Sequence, residues 1–142
     1  MVKFEQKFFP SEAEKLKNII KSSQLSDFAF RKSLIYLHRI KRKRLPCDEE
    51  PFAIFVAALI VASKHNAAPD DLAISWKDII PFSEMKIFDL QLIFMNLLRY
   101  DLVVMDSETD QWNMYTSEDI PTDILSKKLS SVQIADCDQF KR

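Results

Sequence analysis

Apolar residues along this chain recur mostly at three- and four-residue intervals, the period of helices laid against a core. Leu16, Ile19 and Ile20 form one such stripe, opened by Phe8-Phe9-Pro10-Ser11. Ser11 and Glu14 fit the S-x-x-E capping box, in which each residue satisfies a backbone donor left over at a helix start. Ser22-Ser23-Gln24 breaks the pattern. A second stripe, Phe30, Leu34, Leu37 and Ile40, predicts a helix capped by Ser26 and Asp27 and running to about Arg44. Arg39, Lys41, Arg42, Lys43 and Arg44 crowd its last turns, where cations suit the negative end of the helix dipole. Leu45-Pro46-Cys47-Asp48 is a break, after which Asp48, Glu49, Glu50 and Pro51 carry the chemistry of a new helix start. From Phe52 to Ala62 every residue is apolar. A helix that is apolar all round must be enclosed on most sides, so this one is expected to be the hub. Ala57, Ala58 and Ala62 would let its neighbours approach closely.

Lys64-His65-Asn66 ends the hub, and Ala67 to Ala73, with Pro69, reads as a loop. Ser75 and Asp78 repeat the capping pattern for a short helix that stops at Pro81. Ser83 caps the last long helix, whose stripe is Ile87, Leu90, Phe94, Leu97 and Leu98. Beyond Asp101 the pattern changes. Leu102-Val103-Val104 and Trp112-Asn113-Met114-Tyr115 are β-prone around a polar stretch from Asp106 to Gln111, which predicts a small hairpin with a glycine-free turn. From Thr122 the chain is polar, with one weakly helical stretch near Ile124 to Val132. The expected architecture is all-α: a five-helix bundle over residues 1–104, then an extension over 105–142 that holds the hairpin and a weakly ordered tail.

A length of 142 residues suits one domain, and 47% hydrophobic residues supply its core. The net charge of −1, from 20 basic and 21 acidic residues, argues against a general nucleic-acid binder. Glycine is absent, which removes the phosphate-cradling loops of nucleotide-binding folds. Backbone positions that need positive φ are then expected to use Asn or Asp, at some cost. Cys47 and Cys137 have no CxxC companions and read as reduced thiols of a nuclear or cytoplasmic protein. The N-terminus has no apolar signal core, and the longest apolar run falls well short of the ~20 residues of a membrane span. His38 and His65 lie on different helices with no third ligand suggested, so neither a metal nor another cofactor is expected. No Ser or Cys sits in a nucleophile motif, so the chain is not expected to be an enzyme. Trp76 and Trp112 read as core anchors.

The helix order, together with several local runs, resembles a cyclin box. Ser33-Leu34-Ile35-Tyr36-Leu37-His38-Arg39-Ile40 is similar to the family's second helix, and Ala57-Ala58-Leu59-Ile60-Val61-Ala62-Ser63-Lys64 to its third. Trp76-Lys77-Asp78-Ile79-Ile80 resembles the short fourth helix. The segment Phe94 to Leu102, closing in Leu-Arg-Tyr-Asp-Leu, resembles the end of the fifth. The likeness covers roughly residues 10 to 104 and comes nearest to fungal Pcl-type cyclins, which also have a single box.

The resemblance implies a regulatory subunit that binds a cyclin-dependent protein kinase. Such a subunit packs on the kinase's C helix and holds its Lys–Glu ion pair and activation loop in the active arrangement. Two positions carry kinase contact in the family. One is the lysine ending the third helix, here Lys64; the other is a fifth-helix glutamate, whose place is taken by Gln91. Gln91 keeps the hydrogen-bonding capacity and loses the charge. The Met-Arg-Ala-Ile-Leu-like docking patch of cell-cycle cyclins is replaced by Ser11-Glu12-Ala13-Glu14-Lys15-Leu16. Near the second helix some members place ligand contacts, which adds Arg39, Lys41 and Arg42 to the candidate partner-binding residues.

Plainer readings stand beside these. Lys64 reads equally as a solvated cation at a helix end. Gln91 lies one residue off the apolar stripe and reads as a boundary residue. The run Lys41 to Arg44 fits a phosphate-binding patch or a nuclear localisation signal, and more plainly a charged helix end. Two functional alternatives follow: a cyclin-fold scaffold for a partner that is not a kinase, and a small helical nucleic-acid-binding domain using Arg39 to Arg44 with strongly salt-dependent affinity.

Overall fold

A computed structural model describes residues 10–43, 50–65, 68–113 and 115–116, without the side chains of residues 10, 11 and 41–43. Among the described residues there are six α-helices, one 3-10 turn and no β-strand. The helices are α1 (Pro10–Ser23), α2 (Asp27–Lys43), α3 (Pro51–Lys64), α4 (Pro69–Leu72), α5 (Glu84–Leu97) and α6 (Asp106–Gln111), with the 3-10 turn Trp76–Asp78 between α4 and α5. The Ser11 side chain, the Cys47 and Cys137 thiols, Arg44 and the stretch expected to be helical near Ile124 lie outside the described residues.

α3 is the hub. Every residue from Pro51 to Ser63 is buried. The helix packs chiefly against α2 and α5, with smaller contacts to α1 and α4. Its alanines Ala53, Ala57, Ala58 and Ala62 are all buried, so helices can close on it from several directions. Burying each Leu, Ile, Phe or Val of this helix contributes about 1.5–3 kcal/mol. A larger side chain at Ala58, which has no exposure, would cost about 1–3 kcal/mol by overpacking.

The flanking helices follow their periodic stripes. Leu16, Ile19 and Ile20 of α1 are buried, as are Phe30, Leu34, Leu37 and Ile40 of α2 and Ile87, Leu90, Phe94 and Leu97 of α5. The starts are fixed by side-chain caps. Ser83 Oγ accepts the Lys86 N–H at 3.1 Å, and Ser26 Oγ accepts the Ala29 N–H at 3.1 Å. The α2 start is also tied across the fold: Ser26 donates its N–H (3.0 Å) and its hydroxyl (2.6 Å) to the buried Asp71 carboxylate of α4.

Three expectations are corrected. The stretch read as a loop contains α4, because Pro69 stands at a first helical position and Asp70 and Asp71 follow in the positive first turn. The short fourth helix is only the 3-10 turn Trp76–Asp78, pinned by Ser75 Oγ donating to Asp78 Oδ2 at 2.8 Å. Among the described residues the hairpin does not form. Residues 101–105 carry no strand pairing, and the polar stretch meant as its turn is α6. No glycine is available for a tight hairpin turn. Asp106 and Glu108 instead suit a helix start, and Glu108 Oε1 accepts the Met105 N–H at 3.0 Å. α6 packs against α2.

Candidate functional site

The C-terminus of α3 and the outer side of α5 enclose an open groove of about 240 Å³, lined by Lys64, Trp76, Lys77, Glu84, Phe88 and Gln91 among others. Its floor is rigid. Trp76 is buried and donates its indole N–H to Ser63 Oγ at 3.1 Å, while Ser63 donates to the Ile60 carbonyl at 2.7 Å. The buried serine thus joins the end of α3 to the 3-10 turn and leaves no indole donor unpaired. Lys64, the next residue, stands exposed at the helix end.

α5 contributes the opposite wall. Ile87, Leu90, Phe94 and Leu97 face the core, and the helix carries further apolar residues on its outer side. Met85 is 76% exposed, Phe88 60% and Leu92 43%. Their spacing at i, i+3 and i+7 makes them one ridge. Gln91 is half-buried beside it, and its Nε2 lies 3.4 Å from the Ile87 carbonyl of the preceding turn. Across the mouth Lys77 Nζ lies 3.4 Å from Glu84 Oε2 in an exposed ion pair. The next residue after Lys64, His65, has its imidazole pKa lowered, first by burial and then by the neighbouring Lys32 and Lys64 cations.

Lys64 and Gln91, two of the residues the sequence singles out, therefore meet in one groove. Arg39 does not join them. Its side chain, 13% exposed, turns onto the segment after α5. There it donates to the Asp101 carbonyl at 2.8 Å and to both Glu108 carboxylate oxygens at 2.9 and 3.2 Å. The Met105 N–H and this guanidinium together hold the Glu108 carboxyl below its usual range. Tyr36 and Arg31 work alongside: Tyr36 donates to the Leu102 carbonyl at 2.8 Å, and Arg31 donates to the Tyr115 and Asn113 carbonyls at 3.0 and 3.2 Å. Burial pushes the Tyr36 phenol up to about 12. Lys41 and Arg42 lie in the last turn of α2, with their side chains outside the described residues. Trp112 is half-buried and packs its ring on those of His38 and Tyr115, at 5.9 and 5.7 Å between centroids.

The ridge Met85–Phe88–Leu92 escaped the reading of the sequence, although a signal for it was present. The stripe Ile87, Leu90, Phe94 and Leu97 accounts for four of the nine apolar positions in α5, and the surplus marks a second face. A further groove of about 340 Å³ lies between α1 and the start of α3, lined by Lys15, Ile19, Phe52 and Pro81 among others. Among the described residues none of the exposed large apolar side chains lines it. Among the described residues no helix is long and apolar enough to cross a membrane, and no three His, Cys, Asp or Glu side chains gather as a metal site would need.

Comparison with family models, with curated proteins and with solved structures finds no match to this chain.

Proposed function

We propose that this chain is a non-catalytic regulatory subunit, cyclin-like in its mode of action, that binds a cyclin-dependent protein kinase through the groove between α3 and α5. One observation carries the reading: Lys64 and Gln91 come from different helices yet line one groove, beside the exposed ridge Met85–Phe88–Leu92. An apolar ridge at the surface with polar groups around it has the make-up of a protein-docking face. Lys64 and Gln91 also occupy the positions to which the resemblance assigns kinase contact. The subunit supplies no reacting group. It binds one conformation of the kinase's C helix better than another, and the difference in affinity shifts the population toward the active arrangement.

The test mixes the purified chain with candidate cyclin-dependent kinases and measures both retention of the kinase and its phosphorylation activity. Lys64→Glu and Phe88→Asp are each expected to weaken retention about tenfold or more, while Lys15→Glu in the α1 groove leaves it unchanged. Retention that is indifferent to both groove variants refutes the reading. The neutral Gln91 favours a second reading, a scaffold that holds its partner without stimulating it. Kinase stimulation that appears only with Gln91→Glu would select that alternative.

A further inference from the structure

We infer that the α3–α5 groove selects a partner helix that carries a carboxylate within its apolar face, and that Gln91 sets this choice; the inference rests on the docking reading above. Two observations lead to it. The first is shape. Met85, Phe88 and Leu92 form a straight ridge along α5 about 10 Å long, at 1.5 Å of rise per residue. Phe88 of that ridge also lines the groove, and a ridge next to a groove is the surface onto which a second amphipathic helix packs.

The second observation is charge. Lys77 and Glu84 neutralise each other across the mouth of the groove. The Lys64 ammonium makes no ion pair or hydrogen bond among the described residues. On the α5 wall, apart from Glu84, the polar lining residue is Gln91, which brings no charge to answer it. The groove therefore presents an unmatched cation at the margin of an apolar ridge. When a partner covers that margin the ammonium loses water, which is costly unless the partner pairs with it. An all-apolar helix leaves the ammonium unpaired and a basic helix repels it. A helix with one carboxylate in register satisfies it. A glutamate at position 91 would place a negative charge in the same groove and remove the demand on the partner.

The test uses three synthetic amphipathic helical peptides of ~18 residues with identical leucine stripes. They differ at one central position of the apolar face, which holds Glu, Gln or Lys. Affinity for the full chain is measured by isothermal titration calorimetry. The Glu peptide is expected to bind about fivefold more tightly than the Gln peptide, with the Lys peptide weakest, and the preference is expected to shrink at high salt. Lys64→Gln should erase the preference and leave the affinity for the Gln peptide within about twofold. Gln91→Glu should weaken the Glu peptide selectively. If the Glu and Gln peptides bind equally while Phe88→Asp abolishes both, the charge selection is wrong and the docking reading stands. If no peptide binds, or if Phe88→Asp changes nothing, both fall.

Discussion

A chain without glycine has to place ordinary residues in the left-handed region, and Gln24 offers a direct measure of the cost. The expectation that Asn or Asp would fill such positions is corrected: among the described residues Gln24, Arg99 and Tyr100 have positive φ, and Gln24, with φ of 56°, follows the last residue of α1. Its N–H donates to the Lys21 carbonyl at 3.2 Å, and the next residue, Leu25, is buried at 2% exposure. This is the geometry in which helices commonly end on glycine. Left-handed backbone costs an L-residue about 1–2 kcal/mol, and glycine escapes that cost. Glycine also loses about 0.5–1 kcal/mol more backbone entropy on folding. The Gln24 side chain is exposed, so its removal sacrifices no packing. Gln24→Gly should then stabilise the fold by about 0.5–1 kcal/mol, or raise Tm by about 2–4 °C at this chain length. Thermal and urea unfolding followed by circular dichroism would measure it. Ser22→Gly, two residues earlier and inside the helix, is the matched control and should destabilise by about 0.5 kcal/mol. Gln24→Val should also destabilise, because a β-branched residue tolerates positive φ poorly. If Gln24→Gly lowered Tm as much as Ser22→Gly does, the left-handed strain would not be present and the reasoning would fail.

Other consequences can be measured with the same material. Ser63→Ala leaves the buried indole N–H of Trp76 without its acceptor and should cost about 1–3 kcal/mol, whereas Ser63→Ala combined with Trp76→Phe should cost less than the two single changes added together. Arg39→Ala removes the guanidinium from the Asp101 carbonyl and the Glu108 carboxylate. It should destabilise by about 1–3 kcal/mol and speed amide exchange first at residues 101–111; uniform exchange across the molecule would contradict the assignment of Arg39 as the clasp of α6. Because the folded imidazole of His65 resists protonation, the unfolded chain takes up the proton first as pH falls. Stability should therefore drop below the ordinary value of 6.5 until the lowered folded value is passed. His65→Gln should flatten this part of the urea-midpoint profile against pH, and an unchanged slope would rule His65 out as its source.

Much of the fold is legible in local pattern. The uninterrupted apolar run from Phe52 to Ala62 has no polar face to give to water, so its burial follows from its composition. Ser26 and Ser83 stand directly before apolar-periodic stretches and cap them, since a cap needs only a hydroxyl within three residues of an orphan N–H. Lys64 was visible as a helix-end cation because position within a helix fixes that role. What pattern could not supply were the contacts between distant parts of the chain. From sequence Arg39 reads as a helix-end cation and a candidate partner contact because Asp101 and Glu108, its partners, are far away along the chain. The β-prone Leu102-Val103-Val104 remained unpaired because Glu108 folded back on Met105 and committed the next residues to α6. The groove likewise exists only because α5 crosses the end of α3. Hydrophobic period and capping chemistry act over a few residues and leave their mark on the sequence. Which side chain meets which across the core is set by how the helices pack, and that decided whether a charged residue became a clasp, as Arg39 did, or stayed exposed, as Lys64 did.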